Sequence, residues 1–306
     1  MQRASSSHEK SALLAGIAAF ATWGLVPVYW KLLRSIPAAE ILAHRFVWTW
    51  VFMVILLSWS RRWPEVLGNV RTPRTVGFCA ASGVSIATNW FVFIWAVNAS
   101  HVLETSLGYF MTPLVSVLLG AVFLRERLTR AQLASVLVAA GAVTYLAADL
   151  GHPPWVALAL CASFGSYGLF RKISGAGSTA GLFLETTVIV PFALGFLVVL
   201  IAKGAGHFGA ATPKWSLLLV TTGIVTGVPL LWFAHAARHL RLTTIGFLQY
   251  LAPSGTLFLG VLVYHEPFRR PQMVTFALIW VALAIYTADA VVRWRALKGA
   301  AVAPAA

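Results

Sequence analysis

The feature that most constrains this chain is the recurrence, along its whole length, of apolar stretches of about 20 residues that contain almost no charge. As an α-helix, a stretch of that length spans the hydrocarbon core of a bilayer. The short connections leave no room for a soluble domain, so we predict an all-α integral membrane protein. The ten predicted spans are 11–31, 38–58, 75–97, 102–124, 130–148, 153–171, 179–201, 215–237, 242–264 and 271–292.

The charges of the chain follow the predicted membrane. Only 10% of the residues are charged, against about 25% in a soluble domain. A net charge of +14 would suggest a nucleic-acid partner in a soluble protein. Here, with the N-terminus in the cytoplasm, sixteen Lys and Arg residues fall on cytoplasmic segments and six on outer segments. The positive-inside rule therefore predicts that both termini are cytoplasmic, and we expect no nucleic-acid partner.

The second half of the chain matches the first at an offset of 140 residues. Trp23-Gly24 and Tyr167-Gly168 add a weaker match between the first and sixth spans. We therefore predict two five-helix repeats, 11–150 and 151–292, between cytoplasmic tails at 1–10 and 293–306. An odd number of spans inverts the second repeat, as in secondary transporters that bind substrate at the midplane. The identities at the offset of 140 are Pro113–Pro253, Gly120–Gly260, Glu126–Glu266 and Gln132–Gln272.

The paired prolines lie inside apolar spans, where each removes a backbone hydrogen bond. The freed carbonyl is tolerated in a membrane only where protein, water or substrate can satisfy it. We therefore interpret Pro113 and Pro253 as matched cavity-lining positions near the repeat axis; the alternative is that each bends its helix for packing. Other residues share their helical faces, namely Tyr109 and Phe110 before Pro113, and Gly246, Gln249 and Tyr250 before Pro253.

Four segments carry a distinctive pattern: NWFVFIWAVN at 89–98, ETSLGYFMTPL at 104–114, FLRER at 123–127 and GFLQYLAP at 246–253. They resemble the RarD branch of the EamA-type drug/metabolite transporters over nearly the whole chain. The resemblance implies ten helices, a bacterial inner-membrane location and export of small metabolites or drugs, and it names no particular substrate. We expect no cofactor, and a monomer or weak homodimer, because one chain holds both halves.

Polar and aromatic residues within the spans are the candidates for substrate binding. The amide of Asn89 can both donate and accept hydrogen bonds, although an interhelical hydrogen bond is an equally ordinary role for it. Trp23 and Tyr167 offer matched aromatic surfaces in the two repeats. The predicted cavity residues are Trp23, Asn89, Trp90, Tyr109, Pro113, Tyr167, Gln249, Tyr250 and Pro253.

Three ionisable residues lie several positions inside spans, where such side chains are costly and usually functional. They are His44, Arg45 and Glu185, and we expect a coupling or gating role for them. A low dielectric disfavours the charged form of Glu185, so this carboxyl group could load and release a proton. A nearby Arg45 would instead stabilise the carboxylate and give it a structural role, and Arg45 could also snorkel to the membrane surface.

Two other functions compete with a transporter. Gly83-Val84-Ser85 imitates the nucleophile motif of intramembrane proteases, but no suitably spaced histidine follows, and no phosphate-binding loop occurs. Cys79 and Cys161 are isolated thiols that predict no metal site. A passive channel or facilitator is the main alternative, although the repeated charges of a pore are missing. The resemblance also raises a doubt about proton antiport, because small multidrug exporters of this superfamily use a glutamate in the first helix and this chain has none there.

Overall fold

The computed structural model describes residues 2–99, 101–149, 152–209, 213–263, 265 and 269–302. These residues form helices joined by short loops, and no β-strand occurs among them. A π-helical turn, Leu259–Val263, continues the twelfth helix. The helices are α1 Gln2–Leu25, α2 Pro27–Leu32, α3 Ala38–Trp59, α4 Trp63–Val70, α5 Pro73–Asn98, α6 Val102–Phe123, α7 Arg130–Ala148, α8 Trp155–Ile173, α9 Ser178–Ala202, α10 Pro213–His239, α11 Leu242–Gln249, α12 Leu251–Phe258 and α13 Arg270–Val302.

Within the described residues, nine helical segments are long and apolar enough to cross a membrane. The predicted span 153–171 forms α8, a helix of 19 residues that carries Arg171 and Lys172 in its last turn and is not among the nine. Large apolar side chains face outward, for example Phe192, which is 76% exposed. Such an apolar surface suits lipid rather than water. Helices also satisfy their own backbone polar groups, as the interior of a bilayer requires. The chain is therefore an all-helical, multi-pass membrane protein.

The packing of the helices keeps the same pattern when the two halves are exchanged. We match α1, α3, α5, α6 and α7 with α8, α9, α10, the α11–α12 rod and α13, in that order. The contact of α1 with α10 then corresponds to that of α8 with α5, and the contact of α1 with α12 to that of α8 with α6. In addition, α3 packs on α9, α6 on α11 and α7 on α13, so that three of the five matched pairs touch each other.

Some residues that match at the offset of 140 occupy similar places in the structure. Gln132 accepts a hydrogen bond from the Thr129 backbone N–H at 3.2 Å and completes a capping box on α7. Its match, Gln272, accepts one from the Arg269 backbone N–H at 3.0 Å at the start of α13. The matched positions 110 and 250 touch, since the Tyr250 hydroxyl donates to the Phe110 carbonyl at 3.4 Å. Glu266, the expected match of Glu126, lies outside the described residues.

Small residues bring helices into backbone contact at two crossings. Where α1 crosses α12, a Cβ atom on Gly24 would lie 3.0 Å from the Ala252 carbonyl oxygen and 3.1 Å from Gly255 Cα. Where α5 crosses α9, a Cβ atom on Gly83 would lie 2.7 Å from the Glu185 carbonyl oxygen. A side chain at either glycine would push the helices apart. Small-residue interfaces of this kind let membrane helices pack by close van der Waals contact.

Glu126 crosses from the end of α6 to the start of α11. Its carboxylate accepts hydrogen bonds from the backbone N–H groups of Leu242, at 2.6 Å, and Thr243, at 2.9 Å. The first N–H groups of a helix lack partners within the helix and carry the positive end of its dipole. Arg241 lies farther away, with its Nε 3.7 Å from the carboxylate. Glu126 therefore acts mainly as a cap that fixes α11 against α6.

Candidate functional site

A cavity of about 470 Å³ lies between the two halves of the molecule. Its volume falls in the range of sites that enclose small organic molecules. Its walls come from both halves, from α1, α2, α3, α5 and α6 as well as α8, α10, α11, α12 and α13. Among the described residues, nine aromatic side chains line it: Phe20, Trp23, Trp30, Trp90, Phe93, Tyr109, Phe110, Phe164 and Phe276. The polar lining consists of Arg45, Asn89, Thr105, Ser106, Thr112, Thr226, Gln249, Thr256 and Gln272.

Two interrupted helices meet at this cavity. The break between α1 and α2 precedes Pro27, and the break between α11 and α12 falls at Tyr250, three residues before Pro253. Pro27 and Pro253 both line the cavity. Val26 and Tyr250, the residues at the breaks, keep helical dihedrals, so each break is a local interruption of the hydrogen bonding. Carbonyls that lose their partners at membrane depth are tolerated where they border a cavity. By contrast, α6 continues through Pro113, whose carbonyl packs against Gly246.

Arg45 brings a positive charge to the cavity wall. Its guanidinium carbon lies 3.9 Å from the centroid of the Trp90 ring and 4.7 Å from that of the Trp30 ring. Its Nε donates a hydrogen bond to Thr226 Oγ1 at 3.1 Å. The faces of indole rings attract cations and hold the planar guanidinium in one orientation. Among the described residues that line the cavity, Arg45 is the one that carries a charge.

The predicted amide ligands line the cavity and also join helices. Asn89 Nδ2 donates to the Leu160 carbonyl at 2.9 Å and to Ser163 Oγ at 3.0 Å, which ties α5 to α8. Gln249 Oε1 accepts a hydrogen bond from Ser116 Oγ at 3.2 Å, which ties α11 to α6. The interhelical role considered for Asn89 is thus present in the structure. Because Asn89 also lies on the cavity wall, its predicted role in substrate binding stays a prediction.

The cavity brings together seven of the twelve predicted site residues. The two prolines differ in position: Pro253 is on the cavity wall, whereas Pro113 is absent from the described lining and lies at the contact of α6 with α11. Tyr167 is fully buried and stacks on Phe233 with ring centroids 5.2 Å apart. Tyr250 is buried among apolar side chains next to the cavity. The seven residues on the cavity wall are Trp23, Arg45, Asn89, Trp90, Tyr109, Gln249 and Pro253.

His44 belongs to a separate cluster at the start of α3. Its Nδ1 accepts a hydrogen bond from Trp48 Nε1 at 3.2 Å, and its Nε2 lies 4.0 Å from the Glu40 carboxylate. The same carboxylate accepts hydrogen bonds from His207, from the backbone N–H at 2.7 Å and from the ring at 2.8 Å. His44 is absent from the described cavity lining, so the structure gives it a local partner rather than a place beside substrate.

Glu185 pairs with Arg171. Arg171 Nη1 lies 3.1 Å from Glu185 Oε1, and the two side chains are 1% and 2% exposed. Ser82 Oγ donates to the same oxygen at 2.8 Å. From the sequence, Arg45 was a possible partner of Glu185, and Arg171 was one of the sixteen basic residues predicted to be cytoplasmic. An available signal was the spacing of Arg171, four residues after Tyr167 on the same face of α8.

The ion pair lies outside the cavity lining, farther along α8. Phe164 lines the cavity, and Tyr167 and Arg171 follow on the same helical face, so that Arg171 lies about 10 Å farther along α8. In between, the rings of Phe20, Phe164 and Tyr167 all pack on Phe233. These four rings, which we call the aromatic floor, separate the cavity from the ion pair.

Thr226 links the cavity wall to the surroundings of Glu185 by a second route. It accepts the hydrogen bond from Arg45 and lines the cavity. It also borders a small internal space of about 10 Å³ whose walls include Trp90 and Glu185. The positively charged cavity wall and the buried carboxylate are therefore close neighbours through one threonine and one tryptophan.

Comparisons with known proteins agree with this architecture. The EamA-like transporter family matches residues 10–148. The chain is 44% identical to the uncharacterized transporter YojE of Bacillus subtilis, over 94% of this chain and 97% of that protein. It is 43% identical to protein RarD of Escherichia coli, again over 94% and 97%. It is 30% identical to the chloramphenicol-sensitive protein RarD of Pseudomonas aeruginosa, over 89% and 92%.

A solved structure supports the fold independently. A crystal structure of a protein that is 20% identical superposes with a TM-score of 0.68, over 90% of this chain and 96% of that chain. This likeness concerns the fold alone. Several of the sequence relatives are named as transporters. They point to a transporter rather than an enzyme. The chain therefore belongs to the RarD branch of the EamA-like transporter family.

Proposed function

We propose that this protein is a secondary transporter that exports small organic metabolites or drugs across the bacterial inner membrane by alternating access. The observation that carries the proposal is a ligand-sized cavity at two helix breaks, bounded on one side by the aromatic floor. Such a cavity is typical of one state of a carrier, in which the site is open to one side of the membrane. A channel would need a continuous polar path.

We further propose ten spans in two inverted repeats, 11–150 and 151–292, with both termini in the cytoplasm and the protein acting as a monomer or weak homodimer. The exchangeable packing pattern and the matched caps of Gln132 and Gln272 support the repeats. Removal of the buried Arg171 from the sixteen cytoplasmic charges leaves fifteen against six, so the charge bias still supports the topology. In this orientation the cavity opens outward.

Glu185 is the residue that we propose for coupling transport to a proton gradient. It is a deeply buried carboxylate, 2% exposed, and it lies beyond the aromatic floor on the proposed cytoplasmic side. Movement of α8 away from α9 would separate Arg171 from Glu185 and expose the carboxylate to cytoplasmic protons. The alternative is that the pair only holds the two helices together and that the protein is a passive facilitator.

Inside-out vesicles test these proposals. We would screen amino acids and aromatic drugs with and without a pH gradient, and would include chloramphenicol because the name of one relative refers to it. We expect at least one compound to accumulate against its gradient in a protein-dependent manner. Glu185→Gln should abolish the accumulation that depends on the pH gradient and leave downhill exchange measurable.

The matched control is Ser85→Ala. The Ser85 hydroxyl donates to the Ala81 carbonyl of its own helix at 2.7 Å, so the variant should transport like the wild type, which also tests the protease-like motif. Wild-type accumulation by Glu185→Gln would favour another coupling residue. Downhill flux without accumulation would favour the facilitator. The absence of any protein-dependent flux over the whole panel would contradict a transporter.

A further inference from the structure

We infer that the cavity selects organic anions, that is, small molecules with a carboxylate for Arg45 and an aromatic body for the ring-lined walls. This inference rests on the proposed function, because it names the substrate class of the same site. Three observations carry it: the unbalanced charge of Arg45, its unused hydrogen-bond donors, and the chemistry of the surrounding walls.

Among the described residues, no acidic side chain balances the charge of Arg45. No described carboxylate lies within 4 Å of its guanidinium, and no acidic side chain occurs among the described residues that line the cavity. A charge that is held away from bulk water is costly unless an opposite charge or several hydrogen bonds accompany it. Trp30 and Trp90 offset part of that cost through their ring faces. The arrangement therefore leaves net positive charge facing the cavity.

The hydrogen bonds of Arg45 are also incomplete. A guanidinium has five N–H donors. Within the described residues, Nε donates to Thr226 and neither terminal nitrogen has an acceptor. The two indole rings fix the plane of the group, so its free N–H bonds point in set directions. Two parallel N–H bonds of a guanidinium match the two oxygens of a carboxylate.

The same wall disfavours cations. An amine-bearing drug would meet a positive charge and would find no carboxylate partner on the described walls. Glu185 does not supply one, since it borders the neighbouring small space rather than the cavity wall, and its Oε1 is engaged by Arg171 and Ser82. Selection works by repulsion of the wrong class as well as by attraction of the right one.

The remaining walls suit an aromatic body. Tyr109 and Phe93 pack together with ring centroids 5.8 Å apart on one wall. Trp23 and Phe164 pack together at 5.9 Å near the floor. Offset and edge-on contacts with such rings favour another flat ring over a flexible chain. An acid with one or two rings thus meets both the charge and the shape of the cavity.

Three probes of nearly identical shape test the charge preference. Phenylacetate is the anion, phenylacetamide its neutral analogue and phenethylamine a cation of similar size. Binding to the purified protein in detergent is followed by tryptophan fluorescence, since Trp23, Trp30 and Trp90 all line the cavity. We expect phenylacetate to bind at least about tenfold more tightly than phenylacetamide, and phenethylamine to bind most weakly.

Variants assign the preference to Arg45. Arg45→Gln should reduce the ratio of the phenylacetate and phenylacetamide affinities to near one while it leaves phenylacetamide binding intact, which shows that the variant is folded. Arg45→Lys keeps the positive charge but loses the two parallel N–H donors of the guanidinium, so it should retain part of the preference. Lys203→Gln removes an exposed positive charge outside the cavity and should leave the ratio unchanged.

Three results would overturn the inference: equal or tighter binding of phenylacetamide or phenethylamine by the wild type, no binding of phenylacetate, or a preference that survives in Arg45→Gln. The wild-type comparison alone decides it if Arg45→Gln does not fold. Transport is scored separately. Arg45-dependent binding without flux of any solute would contradict the transporter function and support the preference for anions. Flux of neutral or cationic solutes alone would support the transporter function and contradict the preference for anions.

Discussion

Neutralisation of Glu185 should destabilise the protein strongly, because it strands a buried positive charge. Arg171 and Glu185 are at most 2% exposed, so water cannot solvate the cation that Glu185→Gln leaves behind. Loss of one partner of a buried pair costs about 3–5 kcal/mol, whereas an exposed pair is worth less than about 1 kcal/mol. Glutamine keeps the volume and can still accept the bond from Ser82, so the loss reports on charge. We expect the free energy of unfolding to fall by about 3–5 kcal/mol.

The two cysteines provide the assay. Cys79 and Cys161 are 1% and 2% exposed, so a fluorogenic maleimide reacts with them only when the protein opens. Cys79→Ala is used as the background because Cys79 lies near the ion pair, which leaves Cys161 to report global unfolding. Titration with SDS in mixed micelles then gives the free energy of unfolding of each variant.

A double variant separates charge from packing. Arg171→Gln combined with Glu185→Gln removes both charges and should recover more than half of the loss, since no ion remains buried. Arg62→Gln is the matched control, because its pair with Glu65 is half exposed and 3.7 Å long, and it should change stability by less than about 1 kcal/mol. If Glu185→Gln is as stable as the wild type, or if the double variant is no better than the single, the pair is not ionised and this reasoning is wrong.

Three other predictions concern packing, capping and topology. Gly24→Ala should destabilise the α1–α12 crossing by about 1–3 kcal/mol in the same assay, whereas Gly195→Ala, which meets no atom within 4 Å, should be neutral or stabilising. Equal effects would contradict the close-contact account. Glu126→Gln should cost about 1–2 kcal/mol, because glutamine cannot supply two acceptors to the start of α11. Lys298→Cys should react with an impermeant maleimide from the cytoplasmic side only, and periplasmic labelling would overturn the proposed topology.

The positions of the helices could be predicted well from the sequence, because run length in a bilayer leaves few choices. The predicted span 130–148 has the bounds of α7, Arg130–Ala148, and 38–58 differs by one residue from α3, Ala38–Trp59. Helical faces and the offset of 140 predicted Tyr109 and Gln249, and the polarity of its side chain on an apolar helix predicted Asn89; all three line the cavity. These features depend on local spacing and on symmetry, and both can be read from the chain.

The partners of the buried charges could not be predicted in the same way. Arg171 stands at the end of a span, where the charge rule places it in the cytoplasm, and its burial depends on the approach of α9. Gly181 leaves room for the Arg171 guanidinium there, since a Cβ atom would overlap it unless the side chain moved. The sequence also gives no means of telling that the helix breaks near Pro253 while α6 continues through Pro113. Such outcomes are decided by the neighbouring helices.

The Arg171–Glu185 pair and a proton-carrying Glu185 make opposite demands on one carboxylate. A guanidinium at 3.1 Å and the hydroxyl of Ser82 both favour the ionised form while α8 and α9 stay together, whereas burial disfavours it. The two roles become compatible only if they belong to different states of the transport cycle. With the cavity open outward, the pair would keep the cytoplasmic end shut; with α8 and α9 apart, the same carboxylate would face cytoplasmic water and could take up a proton. Proton coupling through Glu185 therefore requires that this residue pair with Arg171 in the outward-open state and take up a proton in the state in which α8 and α9 are apart. The strength of the pair with Arg171 then contributes to the free-energy difference between the two states.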